Sequence, residues 1–196
     1  MFAKDLEDEH SSGERLATPR LVLRTPAVAD VPALVSLANN ANIAENLMSM
    51  PHPYGEENAE AWIRKSRTRL PDQRAFLICL REPSEQPIGA CGWSLVDGLD
   101  LPQVGYWVGE PFWGSGFATE AAQTLIDNAF ATSKLDMLGC GCRVTNLASR
   151  RVIEKCGFQY DGLGMVHSLA RGGTMPILKY RMDRRTWISL KAWSAA

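Results

Sequence analysis

Val104-Gly-Tyr-Trp-Val-Gly-Glu-Pro-Phe-Trp-Gly-Ser-Gly-Phe-Ala-Thr-Glu-Ala-Ala122 is the stretch on which the fold turns. Val104–Val108 has the alternation of a short strand, and Pro111 breaks it. Trp113–Ala118 is a glycine-rich turn, and a helix begins near Phe117. Bare N–H groups in such a turn, with the positive end of the helix behind them, make a seat for phosphate oxygens. Glycine at 114 and 116 keeps any Cβ from holding a diphosphate off the backbone. The stretch therefore predicts a diphosphate-bearing ligand.

Two other phosphate motifs fit poorly. A P-loop requires Gly-Lys-Ser/Thr, and Gly116 is followed by Phe117-Ala118. The dinucleotide fingerprint finds its first half in Gly114-Ser-Gly116 and an acidic residue at Asp136, but its third glycine falls on Thr119. Its strand should also run directly into the turn. Here the strand stops at Val108, with Glu110-Pro111 between.

The 196 residues suit one domain with a substantial core, and 45% hydrophobic with 22% charged residues is ordinary soluble composition. A formal net charge of −1 gives no basic footprint for nucleic acid. No apolar run reaches membrane-spanning length, so no membrane partner is expected. Residues 1–15 are expected to be a flexible tail, and 16–196 a single domain. The five cysteines are odd in number and lie in expected strands or a helix. They suggest free thiols in a reducing cytoplasm rather than disulfides or a metal site.

Leu21–Arg24 is the first expected strand. Asp30 is an expected cap for a helix with Pro32 in its first turn, and Glu56–Leu70 forms a second. Asn39–Tyr54 lacks a period. Ala75–Leu80 and Ile88–Leu95 pair as strands, and after the glycine turn Ala121, Ala122, Leu125, Ile126, Ala129 and Phe130 recur at helical spacing. Met137–Val144 is a strand. Asn146 caps the next helix, Gly157 ends it, and Phe158–Val166 and Met175–Met182 close the chain.

Three segments together resemble the GNAT N-acetyltransferases of the RimJ/RimL type: Leu16-Ala-Thr-Pro-Arg-Leu-Val-Leu-Arg24, Gly105-Tyr-Trp-Val with Trp113–Glu120, and Arg143–Phe158. The resemblance implies an α/β fold with a mixed, twisted sheet of six to seven strands flanked by about four helices. By the same resemblance, two strands are expected to splay and admit a pantetheine arm. It also implies acetyl-CoA as acyl donor and direct attack by an amine in a ternary complex. The family's Gln/Arg loop position is Trp113 here. The tyrosine that many relatives use as acid falls at Ile153, and the glutamate proposed as base in RimL-type enzymes falls near Ser168.

By that likeness, Trp107, Val108, Trp113, Gly114, Ser115, Gly116, Phe117, Ala118, Thr119, Asn146 and Ser149 are the expected cofactor contacts. Backbone N–H groups at the end of Tyr106-Trp107-Val108 can also face the pantetheine and the acetyl carbonyl. Asn146 is either a helix cap alone or a cap that also touches the pantetheine. Ser149 is either a solvated hydroxyl or an aid to the departing thiolate. Glu120 suits the first turn of its helix as structural support. Met48, His52, Tyr54 and His167 are candidate acceptor contacts, and His167 is a candidate catalytic group beside the missing glutamate. His10 lies in the tail.

A proton count bears on the acceptor. An α-amine is roughly 10% neutral at pH 7 and a lysine about 0.04%, so a site without a carboxylate base favours α-amines about 200-fold. The expected acceptor is a protein N-terminus or a small molecule. Rival readings are a CoA-binding scaffold and a dinucleotide oxidoreductase. Either a monomer or a homodimer fits.

Overall fold

The computed structural model describes residues 14–68, 73–96 and 98–194. One sheet runs through it, built from β1 (Arg15–Ala17), β2 (Leu21–Arg24), β3 (Gln73–Leu80), β4 (Pro87–Ser94), β5 (Gln103–Val108), β6 (Met137–Arg143), β7 (Gln159–Ser168) and β8 (Gly173–Asp183). Strand order is β1-β2-β3-β4-β5-β6-β8-β7. Every pairing is antiparallel except β5 with β6. The helices are α1 (Val31–Ala38), α2 (Ala41–Ala44), α3 (Glu56–Arg67), α4 (Phe117–Thr132), α5 (Leu147–Lys155) and α6 (Arg184–Ser194).

Helices cover both faces of the sheet, so β3 is apolar on both sides. Phe76 and Ile78 join the core under α4, with Leu125, Ile126 and Phe130. Leu77 and Cys79 turn to the other face and pack with Leu34 of α1 and Ile63 of α3. Burying each such large side chain contributes about 1.5–3 kcal/mol. All five cysteines are free and buried.

The sheet has eight strands rather than six or seven. The addition is β1, which pairs with β2 across a turn where the Leu21 N–H donates to Thr18 Oγ1 (2.8 Å). Arg15, expected in the tail, is thus in a strand; residues 1–13, His10 among them, lie outside the described residues. Six helices replace the expected four. The α2 helix is a single turn in the segment without a period. The α6 helix starts where the Thr186 N–H donates to Asp183 Oδ1 (2.7 Å). The second expected helix ends at Arg67, and Leu70 falls outside the described residues.

Asp30 is a correction of a different kind. Its side chain makes no cap bond to α1. It accepts instead from the Ala27 N–H (2.7 Å) and from both terminal nitrogens of Arg24 (2.7 and 2.8 Å). A guanidinium within reach holds a buried carboxylate more firmly than a helix N-terminus does.

Candidate active site

The glycine turn has the backbone that its sequence demands. Gly114 (φ +75°) and Gly116 (φ +80°) are both left-handed, a region that costs other residues about 1–2 kcal/mol. The Gly116 carbonyl accepts from the N–H groups of Thr119 and Glu120 (3.1 Å each), which starts α4. Among the described residues, the five consecutive N–H groups of Gly114, Ser115, Gly116, Phe117 and Ala118 have no protein acceptor. The turn is clamped behind by the Trp113 indole N–H, which donates to the Val108 carbonyl (2.6 Å).

A second clamp comes from the β1–β2 turn. Glu120 accepts from the Thr18 hydroxyl, the Arg20 N–H (3.1 Å) and Arg20 Nε (2.7 Å), while Arg20 Nη1 donates to the Ser115 carbonyl (2.9 Å). The Arg20 guanidinium also lies over the Phe117 ring, 4.7 Å from its centroid. Burial pushes the Glu120 carboxyl up, but the bonds from Thr18 and Arg20 outweigh it and hold it below its ordinary value. Glu120 is therefore structural support. Arg20 escapes a local reading, because its partners lie about a hundred residues away.

Beside the turn, the sheet opens. β5 pairs with β6 only at Gln103↔Gly139 and Val104↔Cys140, although both strands continue. The Gly109 N–H bonds back to the Ile88 carbonyl of β4 (2.7 Å), so by strand alternation the groups of Tyr106 and Val108 turn to the opposite edge. They face the opening. The Cys140 thiol donates to the Val104 carbonyl (3.3 Å) at the point where pairing ends.

Across the opening stands the start of α5. Asn146 caps it, its Oδ1 accepting from the Ser149 N–H (3.0 Å). The Tyr106 hydroxyl lies 3.0 Å from Ser149 Oγ and 3.2 Å from the Ser149 carbonyl oxygen, with one proton to share between them. Ile153, one turn on, is buried in the core.

Two cavities border this cluster. One of about 440 Å³ is lined by Trp113, Asn146, Leu147 and Ala148, with Glu45 and Arg143 opposite. The other, about 560 Å³, lies toward α1 and α3 and is lined largely by apolar groups, including Met48, Tyr54, Trp62, Trp93 and Trp107. Tyr106 borders this larger cavity and reaches Ser149 from it. Burial pushes the Tyr54 and Tyr106 phenols up, so neither is a base at neutral pH.

Of the expected acceptor contacts, Met48 and Tyr54 line the larger cavity, whereas His52 and His167 do not, and both histidines are exposed. Ser168 is fully buried with its hydroxyl donating to the Leu47 carbonyl (3.1 Å), so strand alternation turns His167 outward. Carboxylates near the site are engaged. Glu14, on the larger cavity, accepts from Asn128 Nδ2 (2.7 Å) and pairs with Arg74 (3.4 Å). Glu45, on the smaller, pairs with Arg171 (2.6 Å). Among the described residues no group of three His, Cys, Asp or Glu is arranged to hold a metal ion, and no helix is long and apolar enough to cross a membrane.

With this geometry, residues 20–159 match the acetyltransferase (GNAT) domain family, and the chain belongs to that family. It is an N-acetyltransferase, and the oxidoreductase reading is thereby excluded. The uncharacterized N-acetyltransferase p20 of Bacillus licheniformis is 26% identical over 176 residues, 89% of this chain and 98% of its own. The fold is also that of the RimL ribosomal L7/L12 α-N-protein acetyltransferase solved with coenzyme A (TM-score 0.72, 20% identity, 87% of this chain and 98% of that one). Spermidine N-acetyltransferase from Vibrio cholerae, solved with CoA and spermine, is as close (TM-score 0.71, 18% identity, 87% and 99%). A protein N-terminus and a polyamine are thus served by one fold, so the acceptor has to be argued from the site.

Proposed function

We propose that this chain transfers acetyl from acetyl-CoA to an α-amino group, of a peptide or a small molecule, by direct attack of the amine on the thioester. One observation carries the reading. Among the described residues the five N–H groups of Gly114–Ala118, at the start of α4, have no protein acceptor, and beside them the sheet opens toward a second cavity. The N–H groups suit a diphosphate. The opening suits an extended amide-bearing arm, and the Tyr106 and Val108 backbone groups suit the polarised carbonyl. Coenzyme A in the RimL and spermidine N-acetyltransferase structures agrees with this assignment.

The acceptor follows from the acids and bases at hand. Glu14 and Glu45 are held in ion pairs, and the phenols keep their protons. An amine that arrives already neutral needs no protein base, because its proton passes to water after attack. At pH 7 that favours an α-amine over a lysine by about 200-fold. The mostly apolar cavity wall also suits a peptide end or an apolar amine better than a polycation.

The test has two stages. Acetyl-CoA and CoA, but not NAD, should raise the melting temperature; at a hundred times Kd the gain is about 2.7 kcal/mol. CoA release is then followed with peptides that carry either a free N-terminus or a blocked N-terminus and an internal lysine. Faster turnover of the free N-terminus is expected. Acetylation confined to lysines would overturn the α-amine assignment.

A further inference from the structure

Tyr106 projects from β5 across the opening, and its hydroxyl ends 3.0 Å from Ser149 Oγ, with the Ser149 carbonyl at 3.2 Å. A phenol has one proton to give. The carbonyl lies inside α5, where a helical N–H four residues on already serves it. The serine hydroxyl has no such second partner among the described residues. We propose that Tyr106 is a positioning residue for the leaving group: it donates to Ser149 Oγ and so directs the serine proton into the opening, toward the thioester sulfur. This deepens the acetyltransfer reading and rests on it.

The surroundings keep Tyr106 a donor. Burial pushes its phenol far up, and the titratable groups that act on it are the thiols of Cys140 and Cys142 on β6 and of Cys156 at the C-terminal cap of α5. Burial raises those thiols too, Cys142 to about 11 and Cys156 to about 12. Among the described residues no cation acts on the phenol. Tyr106 therefore holds its proton across the working range and cannot act as a base. Two hydroxyls in series polarise each other, so the terminal one becomes the stronger donor.

The step balances without an acid. The amine lone pair forms the C–N bond at the thioester carbon, and the C–S pair moves to sulfur. The amine proton passes to water, and CoA leaves as a thiolate. Ser149 donates a hydrogen bond to that sulfur and keeps its proton, while Tyr106 donates to Ser149. The thiolate later takes a proton from solvent.

The experiment uses Tyr106→Phe, Ser149→Ala and the double variant, with two readouts. The first is the pH titration of the thiol of bound CoA by its ultraviolet thiolate absorbance, which needs no acceptor. The second is kcat with the best amine. Tyr106→Phe keeps the ring packing, so acetyl-CoA affinity should hold. It should lower the thiolate fraction and kcat on the order of tenfold. Added to Ser149→Ala, it should change neither further, because the tyrosine acts through the serine.

A wild-type thiol titration reproduced in Tyr106→Phe overturns the proposal. So does a Tyr106→Phe defect that persists undiminished in the Ser149→Ala background, the mark of a merely structural role. Failure of the acetyltransfer reading looks different: CoA then does not bind wild-type protein, and both ideas fall together. If CoA binds and no amine reacts, the thiol titration still decides the matter.

Discussion

Replacing Gly116 with alanine separates the backbone demand of the glycine turn from its ligand. Gly116 sits at φ +80°, and a Cβ built there has Arg20 Nη2 as its nearest neighbour at 3.5 Å, an ordinary contact. No collision adds to the cost, so only the left-handed backbone does. That strain is about 1–2 kcal/mol, and the stiffer unfolded chain returns about 0.4–1. The net loss is about 1 kcal/mol, a fall in melting temperature of roughly 2–4 °C for a chain of this size. Affinity should suffer more. Under the diphosphate assignment the strained turn misplaces the N–H groups of residues 114–118, and losing one hydrogen bond to a charged group costs about 1.5–3 kcal/mol, about tenfold to a hundredfold in Kd. Gly114→Ala is the companion, since its φ is +75° and its Cβ meets nothing within 4 Å. Calorimetric titration with CoA beside a thermal melt reads both terms. A variant that melts a few degrees lower yet binds CoA as tightly as the wild type refutes the diphosphate assignment.

Two further outcomes test the supports of the site. Asn146→Ala removes the acceptor of the Ser149 N–H and should cost about 1 kcal/mol of stability, read by denaturant titration; an unchanged midpoint would show that the cap contributes nothing. Glu120 has a lowered folded pKa, so its contribution is complete above the ordinary glutamate value of about 4.3 and is lost as pH falls through the folded value. Stability of the wild type should therefore drop more steeply below about pH 4.3 than that of Glu120→Gln, and parallel pH profiles would remove Glu120 from that role.

What could be read from the sequence was whatever repeats or breaks locally. The α4 and α5 periodicities, Gly116 and Gly157 at helix ends and the Asn146 cap are patterns a few residues long, and each lies where it was expected. Contacts that join distant segments were not legible. Tyr106 and Ser149 are 43 residues apart, and Arg20 and Ser115 are 95 apart. Glu14 looks like part of an acidic tail, yet it reaches Asn128 of α4. One omission did carry a signal: Asp183, followed by Trp187 and Leu190, combines a cap with helical spacing. His167 is the opposite case. Its residue type suggested chemistry, while the buried Ser168 beside it fixes the strand phase and turns the imidazole to solvent.

The strand order also has a consequence during synthesis. Since β8 lies between β6 and β7, β7 has no strand partner but β8 among the described residues. A nascent chain therefore carries residues 159–168 unpaired until 173–183 have left the ribosome, an interval of about a second at ordinary elongation rates. The α5 helix, with Asn146 and Ser149, is strung between β6, which already pairs with β5, and β7, so the second of its two anchors awaits the insertion of β8. A stop codon shortly before Gly173 would remove β8 and α6 and leave β7, the anchor after α5 on the leaving-group side of the cleft, with no strand to pair with.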